Sequence, residues 1–132
     1  MSVDSTASRG RVTGIGGVFF KSRDAAALAA WYAEHLGFPV ESWGGAIFRN
    51  ADEPRGDACT NWSPFAEDTS YFAPSPHAFM LNLRVDDLDA LIERLRASGV
   101  NVLERADDSE YGRFRYVLDP EDNLLELWEP PV

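Results

Sequence analysis

Few residues in this chain carry strong intrinsic chemistry. The only cysteine is Cys59, and the only histidines are His35 and His77. A lone cysteine without a matched histidine signature is a poor nucleophile candidate, and it cannot close an internal disulfide. His35 falls near the end of a helical pattern, where an imidazolium complements the helix dipole. His77 lies in a loop that enters a strand and is a candidate pocket residue. There is no GxxxxGK phosphate loop and no GxSxG elbow. Gly14, Gly16 and Gly17 fall within a strand pattern rather than between strand and helix, so they make no dinucleotide fingerprint. The segment DDSEYGRF, residues 107–114, combines acids, an aromatic and a glycine. In it, Glu110 and Tyr111 can act as acid, base or hydrogen-bonding groups at a cavity mouth. The plainer alternative is a solvated turn with Tyr111 packed down. FAEDTSYFA, residues 65–73, places three aromatics in a loop that suits a lid, a dimer contact or a rim seal.

The elements that must position these groups follow from periodicity. RVTGIGGVFFKS (11–22) is β-branched and aromatic and reads as a strand. Asp24 suits an N-cap, Ala25–Leu36 has helical spacing of Leu28, Trp31, Tyr32 and Leu36, and Gly37 is the stop. Short strands are expected at Val40–Trp43, Ala46–Asn50 and Ala58–Trp62, with a loop over 51–57. Residues 63–77 hold three prolines and read as a linker or ordered loop. The second half begins with a strand at Ala78–Val85. A helix opened by Asp86 and Asp87 then runs to Ala97, with Leu88, Leu91, Ile92 and Leu95 on one face. Strands are expected at Val100–Glu104, Arg113–Leu118 and Leu124–Trp128. A polar turn at Arg105–Ser109 and a Pro120-containing turn over Asp119–Asn123 separate them.

Both halves therefore read strand, helix, three strands. Asp24, Leu28 and Gly37 recur as Asp87, Leu91 and Gly99, and Trp62-Ser63-Pro64 recurs as Trp128-Glu129-Pro130. Such self-similarity indicates duplication. The expected organisation is a disordered tail at 1–10, a first module at 11–65, a linker at 66–77 and a second module at 78–132, with 11–132 as one domain.

At 132 residues, 45% hydrophobic and 26% charged, the composition is that of one globular domain. A net charge of −10 excludes general nucleic-acid binding and attraction to anionic membranes, and it favours either solubility or cationic partners. The longest unbroken apolar run, Ala25–Ala33, is too short to span a bilayer. With no apolar leader and no disulfide, a cytoplasmic setting is expected.

WYAEHLGF (31–38), LRVDDLDALIERLRASGV (83–100) and DPEDNLLELWEP (119–130), in this order and spacing, resemble the vicinal oxygen chelate superfamily. That superfamily includes glyoxalase I, extradiol dioxygenases and bleomycin-resistance proteins. The resemblance implies an α+β fold of two paired βαβββ modules curling into a half-open barrel, and it implies a homodimer. It also implies four metal-ligand positions in the metal-using members. Counted from the matching motifs, these are Gly17, Thr60, Met80 and Glu126. Glycine has no side-chain donor, a thioether suits soft metals, and one carboxylate is too little for a divalent ion. The expectation is no metal and no cofactor.

The same positions set which strand residues look inward, because side chains alternate along a strand. Met80 brings Asn82 and Arg84 to its face, Gly17 brings Phe19 and Lys21, and Glu126 brings Leu124 and Trp128. Thr60 brings Trp62, and Trp43 joins from the second strand. The expected ligand-binding cavity thus comprises Phe19, Trp43, Trp62, Met80, Asn82, Arg84 and Glu126, with Glu126, Glu110 and Tyr111 as candidate catalytic groups. Arg84 and Glu126 either satisfy each other as a buried ion pair, or Arg84 anchors a ligand carboxylate while Glu126 acts as base or cation partner. Two function classes remain: a binder of a small organic molecule in a metal-free aromatic cavity, and an enzyme of lyase, isomerase or dioxygenase type that is metal-independent or uses metal atypically. A non-catalytic dimerisation partner is a further option.

Overall fold

The computed structural model describes residues 10–49 and 59–131. The expected loop at 51–57 and nearly all of the expected tail at 1–10 lie outside the described residues. Gly10 is described: it is buried, and its carbonyl accepts from Arg94.

Seven strands and two helices alternate along the chain. The first half comprises β1 (Val12–Ser22), α1 (Ala25–Leu36), β2 (Ala46–Arg49) and β3 (Cys59–Ala66). The second comprises β4 (Phe79–Val85), α2 (Leu88–Ala97), β5 (Asn101–Ser109), β6 (Gly112–Leu118) and β7 (Leu124–Glu129). Both helices start on an aspartate whose carboxylate accepts from the third residue onward: Asp24 from the Ala27 N–H at 3.0 Å, and Asp87 from the Ala90 N–H at 3.2 Å. Gly37, at φ +68°, supplies the left-handed turn that ends α1.

All strands join one sheet in the order β2-β3-β1-β4-β7-β6-β5. Within each half the first strand pairs parallel with the last: β1 with β3, and β4 with β7. The halves meet where β1 and β4 run antiparallel, with Val18 opposite Leu81 and, on either side, Gly17 opposite Asn82 and Phe19 opposite Met80. This mixed α+β architecture is the fold that the resemblance implies.

Three boundaries differ from the sequence reading. Only the Val40–Ala46 bridge forms where a strand was expected at Val40–Trp43. The cause is a tight reversal: the Gly44 N–H donates to Glu41 O at 2.9 Å and the Glu41 N–H to Gly45 O at 2.7 Å. β3 continues through Ser63-Pro64 to Ala66, because Pro64 is a register partner of Phe20 in β1. β5 extends through the expected turn at Arg105–Ser109, and the reversal falls at Glu110–Tyr111.

Two apolar clusters flank the second half of the sheet. On one face α2 covers Val85, Val117 and Leu127 with Leu88, Leu91 and Ile92. On the other, Phe19, Phe72, Met80, Tyr116 and Leu124 pack together, with Phe72 brought in by the segment after β3. Among the described residues no helix is long and apolar enough to cross a membrane. Leu88, at the start of α2, is fully buried against the sheet, so Leu88→Ala is expected to cost about 2–5 kcal/mol through lost burial and a residual cavity. Urea denaturation followed by circular dichroism checks this.

Candidate functional site

A cavity of about 600 Å³ opens on the sheet face opposite the helices, across the seam between the halves. Its walls are mainly aromatic: Phe19 from β1, Phe65 from β3, Phe114 from β6 and Trp128 from β7. Phe114 and Trp128 lie nearly parallel, at 10° and 6.3 Å between ring centres. Trp43, from the turn before β2, stands at the rim. Glu110 and Tyr111 form the opposite rim at the β5–β6 turn. There the Trp128 indole N–H donates to the Tyr111 carbonyl at 2.8 Å, tying wall to rim.

Polar groups gather at the floor. Glu126 is 1% exposed. Its Oε2 accepts from the Tyr71 hydroxyl and from the Tyr116 hydroxyl at 2.8 Å, and its Oε1 accepts from Asn82 Nδ2 at 2.7 Å. Register explains the last contact, since Asn82 and Glu126 are direct partners on β4 and β7. No Lys, Arg or His nitrogen forms an ion pair with Glu126 among the described residues. The Tyr116 hydroxyl also lies 3.0 Å from that of Tyr71 and 2.9 Å from Asp107 Oδ2. Four oxygen–oxygen contacts thus share two phenolic protons, and the floor is rich in acceptors and short of donors. Arg105 lies over both phenol rings, 4.3 Å from the centre of Tyr71 and 4.0 Å from that of Tyr116, and its Nε bonds Asp107 at 3.2 Å.

Asn82 adds a second shortage. With Nδ2 committed to Glu126, its buried Oδ1 has no hydrogen-bond partner among the described residues. The amide cannot turn over without setting two oxygens against each other. The Oδ1 sits against Gly16, where any Cβ would overlap it. Gly16 is therefore required by close approach.

The expected site residues separate into three groups. Phe19, Trp43, Asn82, Glu126, Glu110 and Tyr111 line the cavity. Met80 is on the expected face but lies deeper, fully buried against Phe19 and Leu124. Trp62 and Arg84 stand elsewhere. Trp62 is on the opposite sheet face, packed on Tyr32 and Phe38 of the α1 region at 4.6 and 4.9 Å. Arg84 donates to the Cys59 carbonyl at 3.0 Å and forms no ion pair with Glu126. His35 is exposed beside Trp31, and His77 bonds the Glu121 carbonyl at 3.2 Å, so neither reaches the cavity.

The Trp62 discrepancy has a simple origin. β1 pairs Phe19 with Ser63 while β4 pairs Asn82 with Glu126, and each second-half residue stands 63 positions after its counterpart. Ser63, not Thr60, is therefore the counterpart of Glu126. Asn61, Ser63 and Phe65 face the cavity, and Thr60 and Trp62 point away. The spacing of Asp24 and Asp87, carried through to the last strand, contained this answer. Tyr71 and Tyr116 were missed as site residues because one lies in a loop and the other in a strand without a motif.

These donors do not fit the metal that the fold family implies. Gly17 has no side chain, Thr60 faces away, Ser63 at the position matching Glu126 offers only a neutral hydroxyl, Met80 offers only a buried thioether, and three donors already occupy Glu126. Among the described residues no three of His, Cys, Asp or Glu gather into a group that can hold a metal ion.

A Glyoxalase-like domain family matches residues 17–128. The chain belongs to this family, within the vicinal oxygen chelate superfamily. Among solved structures it is similar to a methylmalonyl-CoA epimerase from Mycobacterium tuberculosis, at 27% identity and a TM-score of 0.61, covering 92% of this chain and 90% of that one. It is also similar to a Streptomyces coelicolor methylmalonyl-CoA epimerase in complex with 2-nitronate-propionyl-CoA, at 19% identity and a TM-score of 0.66, covering 92% and 100%. A Legionella pneumophila structure described as an NAD-dependent benzaldehyde dehydrogenase shares the fold at 15% identity and a TM-score of 0.59, covering 87% and 98%. A comparison with curated proteins gives no significant match.

Burial and the neighbouring Glu126 charge push the Tyr71 and Tyr116 phenols above their ordinary value of 10.0. The native state holds them neutral where the unfolded chain would ionise them. Their contribution to stability is thus complete below the unfolded value and lost as pH rises through the native ones. In an alkaline absorbance titration, two of the four tyrosines are expected to ionise only as the protein unfolds. Reversible ionisation of all four with circular dichroism intact would contradict this.

Proposed function

We propose that this glyoxalase-like protein binds a small organic molecule in its aromatic cavity, with Glu126 as the polar anchor at the floor. The observation that carries this reading is the buried Glu126 carboxylate, hydrogen-bonded but without an ion-pair partner among the described residues, at the base of an apolar cup of about 600 Å³. Ligand sites commonly combine mostly apolar walls with a few fixed polar groups in this way. The three donors around Glu126 are neutral and hold it in place. Ligand polar groups that approach the floor meet acceptors, and flat apolar groups meet Trp128 and Phe114.

A neutral naphthylamine dye is expected to bind with one site per chain and to gain fluorescence. Ser63→Trp, which fills the cavity from β3, is expected to abolish that gain while leaving the circular dichroism unchanged. Equal dye binding by both proteins would remove the cavity as the site. Native mass spectrometry of freshly purified protein, beside its denatured mass, would reveal an organic ligand that co-purifies.

A second reading is proton transfer without a metal. It is favoured by one observation, the continuous chain from Glu126 through Tyr116 to the half-exposed Asp107 carboxylate. Such a chain can return a proton taken by Glu126 to solvent. The epimerases of similar fold suggest a first carbon acid to try. Methylmalonyl-CoA incubated with the protein in heavy water would gain deuterium under this reading, and Glu126→Gln would lose the gain while still binding the dye.

A further inference from the structure

We infer that the cavity is selective for a small organic ammonium ion carrying an apolar group. The inference rests on the proposed binding role of the cavity and names the ligand class.

Three independent features converge on it. The first is charge. Among the described residues two carboxylates, Glu126 at the floor and Glu110 at the rim, line the cavity against one arginine, Arg49. Arg49 is turned toward Glu41 at 3.9 Å. Arg105 lies behind the two tyrosines, paired with Asp107, and Arg84 is held by the Cys59 carbonyl. The whole chain adds a net charge of −10, which attracts cations from a distance and repels polyanions.

The second is proton supply. Two phenolic protons serve four contacts at the floor. A ligand that brings N–H groups supplies what this floor lacks. A ligand that brings a carboxylate or phosphate adds acceptors to a site already in excess of them.

The third is the wall. Trp43, Tyr111, Phe114 and Trp128 line the cavity from rim to floor. Aromatic faces attract organic cations, indole most strongly. Apolar walls also raise the attraction between a bound ammonium and Glu126 above its value in water.

The test compares three probes of similar size and shape: benzylammonium, benzyl alcohol and benzoate. Quenching of tryptophan fluorescence reads their affinities, and methylmalonyl-CoA serves as a polyanionic fourth. Benzylammonium is expected to bind about tenfold or more tightly than benzyl alcohol, with benzoate and the CoA ester weaker still. Glu126→Gln is expected to bring the ammonium and the alcohol to within about threefold, and Glu110→Gln at the exposed rim to reduce the difference partially. Ser63→Trp should abolish binding of all probes, which separates the cavity from diffuse attraction to an acidic surface. Equal affinity for ammonium and alcohol, or tighter binding of benzoate or the CoA ester, would overturn the ammonium inference and leave the cavity as a binding site. Failure of every probe at millimolar concentration would overturn both. Circular dichroism of Glu126→Gln guards against misfolding, and if that variant does not fold, Glu110→Gln and the probe series alone decide the matter.

Discussion

The antiparallel contact between β1 and β4 is the constraint on which the rest of the molecule depends. It joins two similar halves about an axis near Val18 and Leu81. Antiparallel register fixes which residues share a face, because side chains alternate along each strand. The cavity straddles this seam, with Phe19 and Ser63 contributed by one half and Asn82 and Glu126 by the other. A slip of one residue at the seam would carry Phe19 to the helix side and bring Phe20 to the cavity. Packing guards against that slip, since Phe20 lies against Trp62 at 5.6 Å and Phe19 against Phe65 at 5.3 Å. Parallel pairing within each half then delivers Glu126 beside Asn82.

The two halves share an order of elements and differ in detail. The second half keeps all its strands, and α2 covers a closed apolar cluster. The first half replaces one strand by a tight turn and places Trp43 at the cavity rim. At the paired positions it puts Phe19 and Ser63 where the second half has Asn82 and Glu126. The polar floor is thus built almost wholly from the second half and from the segment carrying Tyr71. The first half supplies mostly the aromatic wall.

Much of this was legible in the residues. Asp24 with Gly37, and Asp87 with Gly99, bracket the helices because caps are local chemistry. The fold class followed from the repeated order of elements and from the three motifs that resemble the family. The faces of β1, β4 and β7 followed from alternation. The face of β3 did not, because the Trp-Pro similarity around Trp62 and Trp128 suggested an alignment that the pairing register does not share. The Glu126 environment was legible only in part. Its burial was expected, but its partners were not, because Tyr71 and Tyr116 arrive from segments whose approach depends on tertiary packing. Arg84 was a reasonable partner by charge, yet it lies on β4 beyond Asn82 and finds the Cys59 carbonyl first.

The hydrogen bond from the Trp128 indole to the Tyr111 carbonyl makes the entrance asymmetric. One jamb is welded to the sheet, since the tip of the β5–β6 hairpin and the aromatic wall are held as one piece. The other jamb is Trp43, on a short turn closed by Gly44 and 54% exposed, with no side-chain hydrogen bond fixing it among the described residues. Changes of ligand size are therefore easiest to accommodate on the Trp43 side. Related chains that differ in this turn can share the same floor while admitting different molecules, so the doorway can diversify while the chemistry at the base stays fixed.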